Sequence, residues 1–300
     1  MELYEKYVKY KEKYYNIQNG GDSKLICFNL NDRSGFFSQL FFLIQTYIYA
    51  KKNNWDFYIS SKKWSYKYDK GWLDYFKSKY EYKHHKHIEF FSHRKVDNIP
   101  NYTLKDYTNG IKDIFQLNNV LLNDATNMIK KLGDYKAVYI RRGDKLISEA
   151  KYISVNDILD IINIKSGEKL FVQTDDFNVI KEIKNVLPDI KIYSTVPQDK
   201  YGSYHSDYWI KRDTSKSKTE LDTIVPIIKK LPKEIKKDTD ELLIGVYICA
   251  NAKECWVDRT SNISRFIKLY SNNKVYTYPN DIKLEFDIPY VNPAFKFQAI

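Results

Sequence analysis

The 300-residue sequence has few cysteines and no long apolar run, and each scarcity limits what the protein can be. Its three cysteines, Cys27, Cys249 and Cys255, provide no disulfide framework and no CxxC metal pair, which is typical of a reducing compartment. The first residues are charged and lack the apolar core of a signal peptide. The most apolar stretch, residues 36–50, is interrupted by polar residues. These features predict a cytoplasmic protein with no membrane span.

Motifs for several common chemistries are also missing. The sequence contains neither a GxGxxG loop nor a P-loop, and it supports no Ser/His/Asp or Cys/His arrangement. Four histidines crowd residues 84–93, where a solvated basic loop explains them more simply than a metal site does. The formal net charge is +11, but the lysines are spread along the chain without a nucleic-acid-binding motif. We therefore expect no metal and no nucleic-acid partner.

The predicted elements alternate between strands and helices in two successive halves. A strand at 24–28, a helix over 36–52 and a strand at 55–59 form one βαβ unit. A helical pattern then runs over 108–132 and ends at Gly133. In the second half, strands are predicted at 137–141, 170–173, 190–193, 254–257 and 274–276, and helices near 155–164, 177–187, 218–230, 239–251 and 261–270.

This alternation predicts an α/β fold of two Rossmann-like domains that face each other across a cleft. We place an amino-terminal domain at 1–133, a carboxy-terminal Rossmann-like domain at 134–280 and a tail at 281–300. In such sheets the ligand binds at the carboxyl ends of the strands.

Two adjacent arginines, Arg141 and Arg142, directly follow the first strand of the second half. Only seven of the 49 basic residues are arginine, so an arginine pair suggests a need for bidentate recognition of phosphate or carboxylate. A solvated turn is the alternative. Since two other strands of the same half also end in polar residues, we favour a pyrophosphate clamp.

Those two strand ends are Thr174-Asp175-Asp176 and Arg259-Thr260-Ser261. The aspartates resemble a metal-binding pair, but Thr174 and the aspartates are also good helix caps, and no spaced third ligand follows. Ser261 and Ser264 open a helix, where backbone N–H groups can hold an anion; plain capping explains the same residues.

A charged loop follows the arginine pair and contains Asp144, Lys145 and Glu149. An acidic residue beside a phosphate clamp can deprotonate an attacking hydroxyl. Exposed ion pairs of little energetic weight are the alternative. The residues alone leave both interpretations open.

The strand ends resemble three signatures of the α1,6-fucosyltransferase family, which modifies N-glycan cores and bacterial nodulation factors. The first signature is similar to Ile140-Arg141-Arg142-Gly143-Asp144-Lys145, with Ser148-Glu149-Ala150 following; the second to Phe171-Val172-Gln173-Thr174-Asp175-Asp176; and the third to Arg259-Thr260-Ser261-Asn262-Ile263-Ser264-Arg265. Upstream, Ser34-Gly35-Phe36-Phe37-Ser38-Gln39-Leu40 resembles the glycine loop and helix of the family's amino-terminal domain, and Trp64 with Gly71-Trp72 fits its tryptophan/glycine pattern. The resemblance covers roughly residues 24–270.

The resemblance implies a GT-B fold and an inverting, metal-independent transfer of L-fucose from GDP-fucose to a glycan or glycoconjugate. It places Arg141 and Arg142 on the donor phosphates, Glu149 as the general base with Lys145 beside it, and Asp144 in support of the loop. It further implies a donor pocket that includes Tyr139, Asp175, Asp176, Ser261 and Gly35.

Two departures from the family pattern affect recognition of the nucleobase. The chain has Tyr139 where the family commonly has a histidine, and Gly245 where a later helix carries an aspartate. In the amino-terminal loop, Phe37 replaces a glycine. Two alternatives therefore stay open: a transferase that uses another nucleotide sugar, and a nucleotide-sugar-binding protein that has lost catalysis.

Overall fold

The computed structural model of the protein describes residues 25–30, 35–80, 89–92, 102–142, 152–198, 200, 208–209, 228–229, 231–259 and 261–278. Within these ranges the chain forms two parallel sheets with helices packed against them. The predicted α/β class is confirmed. No helix in the described part is long and apolar enough to cross a membrane.

The smaller sheet belongs to the first half of the chain. It contains β1 (Leu25–Asn29), β2 (Asp56–Ser60) and β3 (Glu89–Ser92) in the parallel order β2-β1-β3. Helix α1 (Phe36–Lys52) connects β1 to β2, as the sequence predicts. Twelve of its seventeen residues are buried, because apolar side chains surround most of the helix.

The larger sheet belongs to the second half. Its strands are β4 (Lys136–Ile140), β5 (Lys169–Thr174), β6 (Lys191–Tyr193), β9 (Glu254–Asp258) and β10 (Lys274–Tyr278), all parallel in the order β10-β9-β4-β5-β6. A short antiparallel pair, β7 (Tyr208–Trp209) and β8 (Ile228–Lys229), lies outside it. After their first residue, β4, β5 and β9 are wholly buried, which is typical of a parallel sheet covered on both faces.

Six further helices follow α1 among the described residues. They are α2 (Leu104–Ile114), α3 (Asn119–Leu132), α4 (Val155–Ile162), α5 (Phe177–Val186), α6 (Pro232–Asn251) and α7 (Asn262–Tyr270). Single 3-10 turns occur at 71–74 and 78–80.

Three helix predictions are wrong in part. The pattern over 108–132 is two helices, because the Asn118 side chain accepts from Leu121 N and begins α3 there. The helix predicted near 239–251 begins earlier, because Pro232 is the first residue of α6, where its missing N–H costs nothing. Ile228 and Lys229, predicted helical, form strand β8.

One hydrophobic core joins the two halves. It runs from β1 and α1 through α2 and α3 to α6, α7 and the facing side of β4 and β9. Phe266 of α7 packs between Phe37 and Phe115, with ring centroids 4.9 and 4.5 Å away. A second core lies on the other side of the larger sheet, under α4 and α5. Helix α3 ends at Gly133, whose φ of 66° favours glycine, but the domain boundary there stays a prediction.

A capping box begins α2 and offers a test of local stability. Thr103 Oγ1 accepts from Asp106 N at 3.2 Å, and Asp106 Oδ2 accepts from Thr103 N at 2.9 Å. Thr103→Ala should lower the free energy of unfolding by about 1 kcal/mol because one donor of the first turn loses its acceptor. Urea denaturation measures this change. Thr103→Ser keeps the hydroxyl and should match the parent; equal losses in both variants would contradict the capping role.

Candidate functional site

The polar strand ends lie side by side at the carboxyl edge of the larger sheet. Strand β4 lies between β9 and β5, so Arg141 and Arg142 are flanked by Arg259 on one side and by Asp175 and Asp176 on the other. The sequence predicted these three strand ends at one edge, and the sheet order brings them together.

Asp175 organises this edge. Its Oδ1 accepts a hydrogen bond from the backbone N–H of Arg142 at 2.7 Å, and its Oδ2 lies 3.3 Å from Nε of Arg141. The Asp175 side chain is fully buried, so both contacts are charge-assisted and shielded from water. One carboxylate therefore holds the arginine pair at the end of the neighbouring strand.

The two arginines differ in exposure. Arg142 is only 4% exposed; its guanidinium donates to the carbonyl oxygen of Ile153 and lies 4.4 Å from the ring centroid of Tyr152. The Arg141 side chain is 11% exposed. Because guanidinium is weakly hydrated and rigid, an enclosed pair held in this way is preorganised for an anion. No pattern in the sequence indicates Tyr152 or Ile153 as partners of Arg142.

Asp176 has a different role from its neighbour. Its Oδ1 accepts from Asn178 N at 2.9 Å and caps α5, while Thr174 Oγ1 accepts from Asp176 N at 3.2 Å. The capping alternative is thus correct for Asp176. Within the described ranges, no group of three His, Cys, Asp or Glu residues is arranged to hold a metal ion.

Tyr139, which stands where the family has a histidine, is fully buried in β4. Burial raises the pKa of its hydroxyl to about 12, although the nearby Arg141 and Ser261 oppose that rise. The phenol therefore stays protonated at neutral pH. Its carbonyl oxygen accepts from the hydroxyl of Tyr278 at 2.7 Å, which ties β10 to the middle of the sheet.

Gly245 of α6 lies against the Gln173 side chain of β5. A Cβ atom on Gly245 would lie 2.0 Å from Oε1 of Gln173 and 2.9 Å from Oγ1 of Thr195. The Gln173 side chain is fully buried, and its Oε1 accepts from Thr195 Oγ1 at 3.0 Å. The buried amide of Gln173 therefore fills the space that a side chain at 245 would need.

Helix α7 begins next to this edge. Ser261 caps it by accepting from Ile263 N at 3.1 Å, so the capping interpretation is correct, and it also lies beside the Tyr139 hydroxyl. Asn262 Nδ2 donates to Ser38 Oγ of α1 at 2.8 Å. Gly35 precedes α1, and no atom of the described residues lies within 4 Å of the position that a Cβ on Gly35 would take. The starts of α1 and α7 are therefore brought together.

The predicted acid–base loop falls outside the described residues, and so do Asp144, Lys145, Glu149 and the histidines. Their roles stay predictions. The residues that flank the loop, Arg142 and Tyr152, contact each other at the carboxyl edge.

A cavity of about 1070 Å³ lies at the opposite edge of the larger sheet, along the amino ends of its strands. Four of its charged groups already pair with each other: Lys136 with Glu168 at 3.0 Å and Lys253 with Asp134 at 3.2 Å. We therefore place the candidate site at the carboxyl edge, where the arginine pair is.

No protein-family model and no curated protein matches this chain in sequence. Solved structures do match. A NodZ α1,6-fucosyltransferase soaked with GDP-fucose gives a TM-score of 0.51 at 12% identity, covering 83% of this chain and 93% of that one. NodZ co-crystallised with GDP gives 0.51 at 11% identity with the same coverage. NodZ from Bradyrhizobium gives 0.49 at 12% identity, covering 83% of this chain and 94% of that one.

At this identity the likeness concerns the fold, and it extends over most of both chains. The resemblance that the strand-end motifs predict is confirmed at that level: the chain has the GT-B fold seen in the α1,6-fucosyltransferase NodZ.

Proposed function

We propose that the protein is a glycosyltransferase that transfers L-fucose from GDP-fucose to a hydroxyl of a glycan or glycoconjugate in the cytoplasm. The observation that carries this proposal is the arginine pair held by the buried Asp175 at the carboxyl edge of a parallel sheet. Crystals of NodZ, which shares the fold, have been grown with GDP and soaked with GDP-fucose, and this supports the choice of donor.

The proposed reaction is a single displacement with inversion. The acceptor oxygen attacks C1 of fucose, the bond from C1 to the diphosphate oxygen breaks, and Glu149 takes the proton of the acceptor hydroxyl. The negative charge that develops on the leaving diphosphate is stabilised by Arg141 and Arg142 and by the start of α7. Lys145 assists Glu149, Asp144 supports the loop, and no metal takes part.

We assign the donor to the larger sheet, within residues 134–280, and the acceptor to the amino-terminal domain, residues 1–133. In this arrangement Asp175, Asp176, Tyr139 and Ser261 shape the donor pocket, and Gly35 approaches it from α1. The space that the described residues leave open at Gly35 and the contact from Asn262 to Ser38 support an approach from that side.

A second candidate is a transferase that uses another nucleotide sugar, or a binding protein of the same fold without catalysis. The packing of Gln173 against Gly245 favours it, because the side chains near the expected base position differ from those of the resembled family.

Ligand-induced thermal stabilisation separates these candidates. We expect GDP and GDP-fucose to raise the melting temperature more than UDP or CDP sugars do, because bound ligand stabilises the folded state. Arg142→Lys keeps the charge but not the planar fork and should weaken GDP binding at least about tenfold. Glu149→Gln should bind GDP-fucose like the parent and show no turnover.

The outcomes bear on different parts of the proposal. If a nucleotide or nucleotide sugar other than GDP or GDP-fucose is the only one that raises the melting temperature, the assignment of the donor is wrong. Binding of GDP-fucose without transfer or hydrolysis would favour the inactive binding protein. Full activity of Glu149→Gln would make the base assignment wrong, and no response to any nucleoside diphosphate would refute the proposal as a whole.

A further inference from the structure

A short series of side-chain hydrogen bonds connects α1 with α7. Asn262 Nδ2 donates to Ser38 Oγ at 2.8 Å, and Asn262 Oδ1 accepts from a terminal nitrogen of Arg265 at 2.8 Å. This orientation of the amide is required, because a guanidinium can only donate. The rings of Phe37 and Phe266 pack beside these contacts. One asparagine thus links the first half of the chain to a cation of the second.

Among the described residues, no carboxylate forms an ion pair with the Arg265 guanidinium. Its Nε is enclosed, and no described atom accepts a hydrogen bond from it. Neither α1 nor α7 has an acidic residue in its first turn. Burial lowers the pKa of Arg265, which reflects the cost of an enclosed cation. Such a group gains most from contact with an anion.

The guanidinium lies at the start of α7. Long side chains on a helix lean toward its amino terminus, and the contact with Asn262 fixes that direction for Arg265. Ser261, which begins the helix, lies beside the Tyr139 hydroxyl and therefore close to the arginine pair. The helix dipole adds partial positive charge at the same place. Arg265 is thus a further guanidinium, in addition to the arginine pair and Arg259, on the side of the site that faces α1.

We propose that Asn262 is a positioning residue of the donor site: it holds the Arg265 guanidinium at the start of α7, toward the donor diphosphate, and Ser38 holds Asn262. The inference rests on the proposed function, because it takes the diphosphate as the ligand of this edge. It predicts that Ser38, a residue of the other half of the chain, affects nucleotide affinity without touching the nucleotide.

Calorimetric titration of the full chain with GDP tests this coupling. Ser38→Ala removes the acceptor of Asn262 and should weaken GDP binding about three- to tenfold, as expected for the loss of one hydrogen bond. Ser38→Thr keeps the hydroxyl and should bind within about twofold of the parent. If Ser38 only stabilises the fold, Ser38→Ala should change the melting temperature and leave the affinity for GDP unchanged.

Asn272→Ala is the matched control. It removes another hydrogen bond between the halves, from Lys112 Nζ to Asn272 Oδ1 at 2.8 Å, beyond the other end of α7. It should leave GDP affinity unchanged, because the distal contact does not orient Arg265.

Asn262→Asp separates positioning from stability. The new carboxylate pairs with Arg265 and adds a negative charge at a helix start, so the melting temperature should not fall. GDP affinity should nevertheless fall by more than about tenfold, because the charge of Arg265 is then neutralised. If the parent binds GDP and both Ser38→Ala and Asn262→Asp bind it equally well, the positioning role is refuted and the proposed function stands. If the parent binds no nucleoside diphosphate, the proposed function fails and the positioning role fails with it.

Discussion

Replacing Asp175 by alanine is expected to lower the free energy of unfolding by about 3–5 kcal/mol and to abolish GDP binding. Asp175 is fully buried and is the carboxylate that pairs with Arg141 and accepts from the N–H of Arg142. Its removal leaves a nearly enclosed guanidinium without its counter-charge and a buried N–H without its acceptor. The arginine pair would then lose the geometry that we assign to phosphate binding.

The adjacent aspartate provides a matched control. Asp176 is 2% exposed and has the same chemistry, but it caps α5. Asparagine caps helices about as well as aspartate does, so Asp176→Asn should change the free energy of unfolding by less than about 0.5 kcal/mol. Asp175→Asn keeps the shape and one acceptor but loses the ion pair. Its free energy of unfolding and its affinity for GDP should lie between those of the parent and the alanine variant.

Urea denaturation and GDP titration measure both consequences. If Asp175→Ala does not fold, Asp175→Asn still reports on the ion pair through its affinity for GDP. Equal damage from Asp175→Asn and Asp176→Asn would contradict the division of roles between the two residues. If either Asp175 variant binds GDP as tightly as the parent, the arginine pair held by Asp175 does not bind the nucleotide.

The elements of the larger sheet were predictable because each is an apolar run closed by a polar or glycine-containing turn. The strand predictions at 137–141 and 254–257 agree with the structure to within one residue at each end. The strand order was not predictable, because no local pattern indicates that β4 pairs with β9 on one side and with β5 on the other. The site could still be located, since parallel strands share a carboxyl edge whatever their order.

The partners of the site residues were not predictable from spacing. Asn262 and Ser38 are 224 positions apart, and no local sequence pattern around either residue indicates the other as its partner. Sequence spacing did not distinguish Asp175 from Asp176, although Asp176 caps α5 and Asp175 holds the arginine pair. Which carboxylate faces the neighbouring strand depends on the local backbone at the strand end, and that geometry is set by tertiary packing.

Gly245 shows how such packing changes the effect of a substitution. Alanine in place of glycine normally stabilises a helix by about 1 kcal/mol. We expect Gly245→Ala to destabilise the protein by about 1–3 kcal/mol, because its Cβ would lie 2.0 Å from the buried amide oxygen of Gln173. Gly110→Ala in α2 is the control: its Cβ would lie 3.0 Å from the nearest atom, on Ile48, and small movements relieve that contact.

A double-mutant cycle tests whether Gly245 and Gln173 act as a unit. Gln173→Ala alone removes one of the two acceptors of the Thr195 hydroxyl and leaves a buried hole, so it should be destabilising. In that background Gly245→Ala should cost little, because the clashing amide is gone, and the coupling should reach about 1–3 kcal/mol. The same reasoning applies to Gly245→Asp, which restores the residue of the resembled family and should fold better with Gln173→Ala than alone. Additive effects of the two alanine substitutions, measured by urea denaturation, would contradict the close contact between α6 and β5.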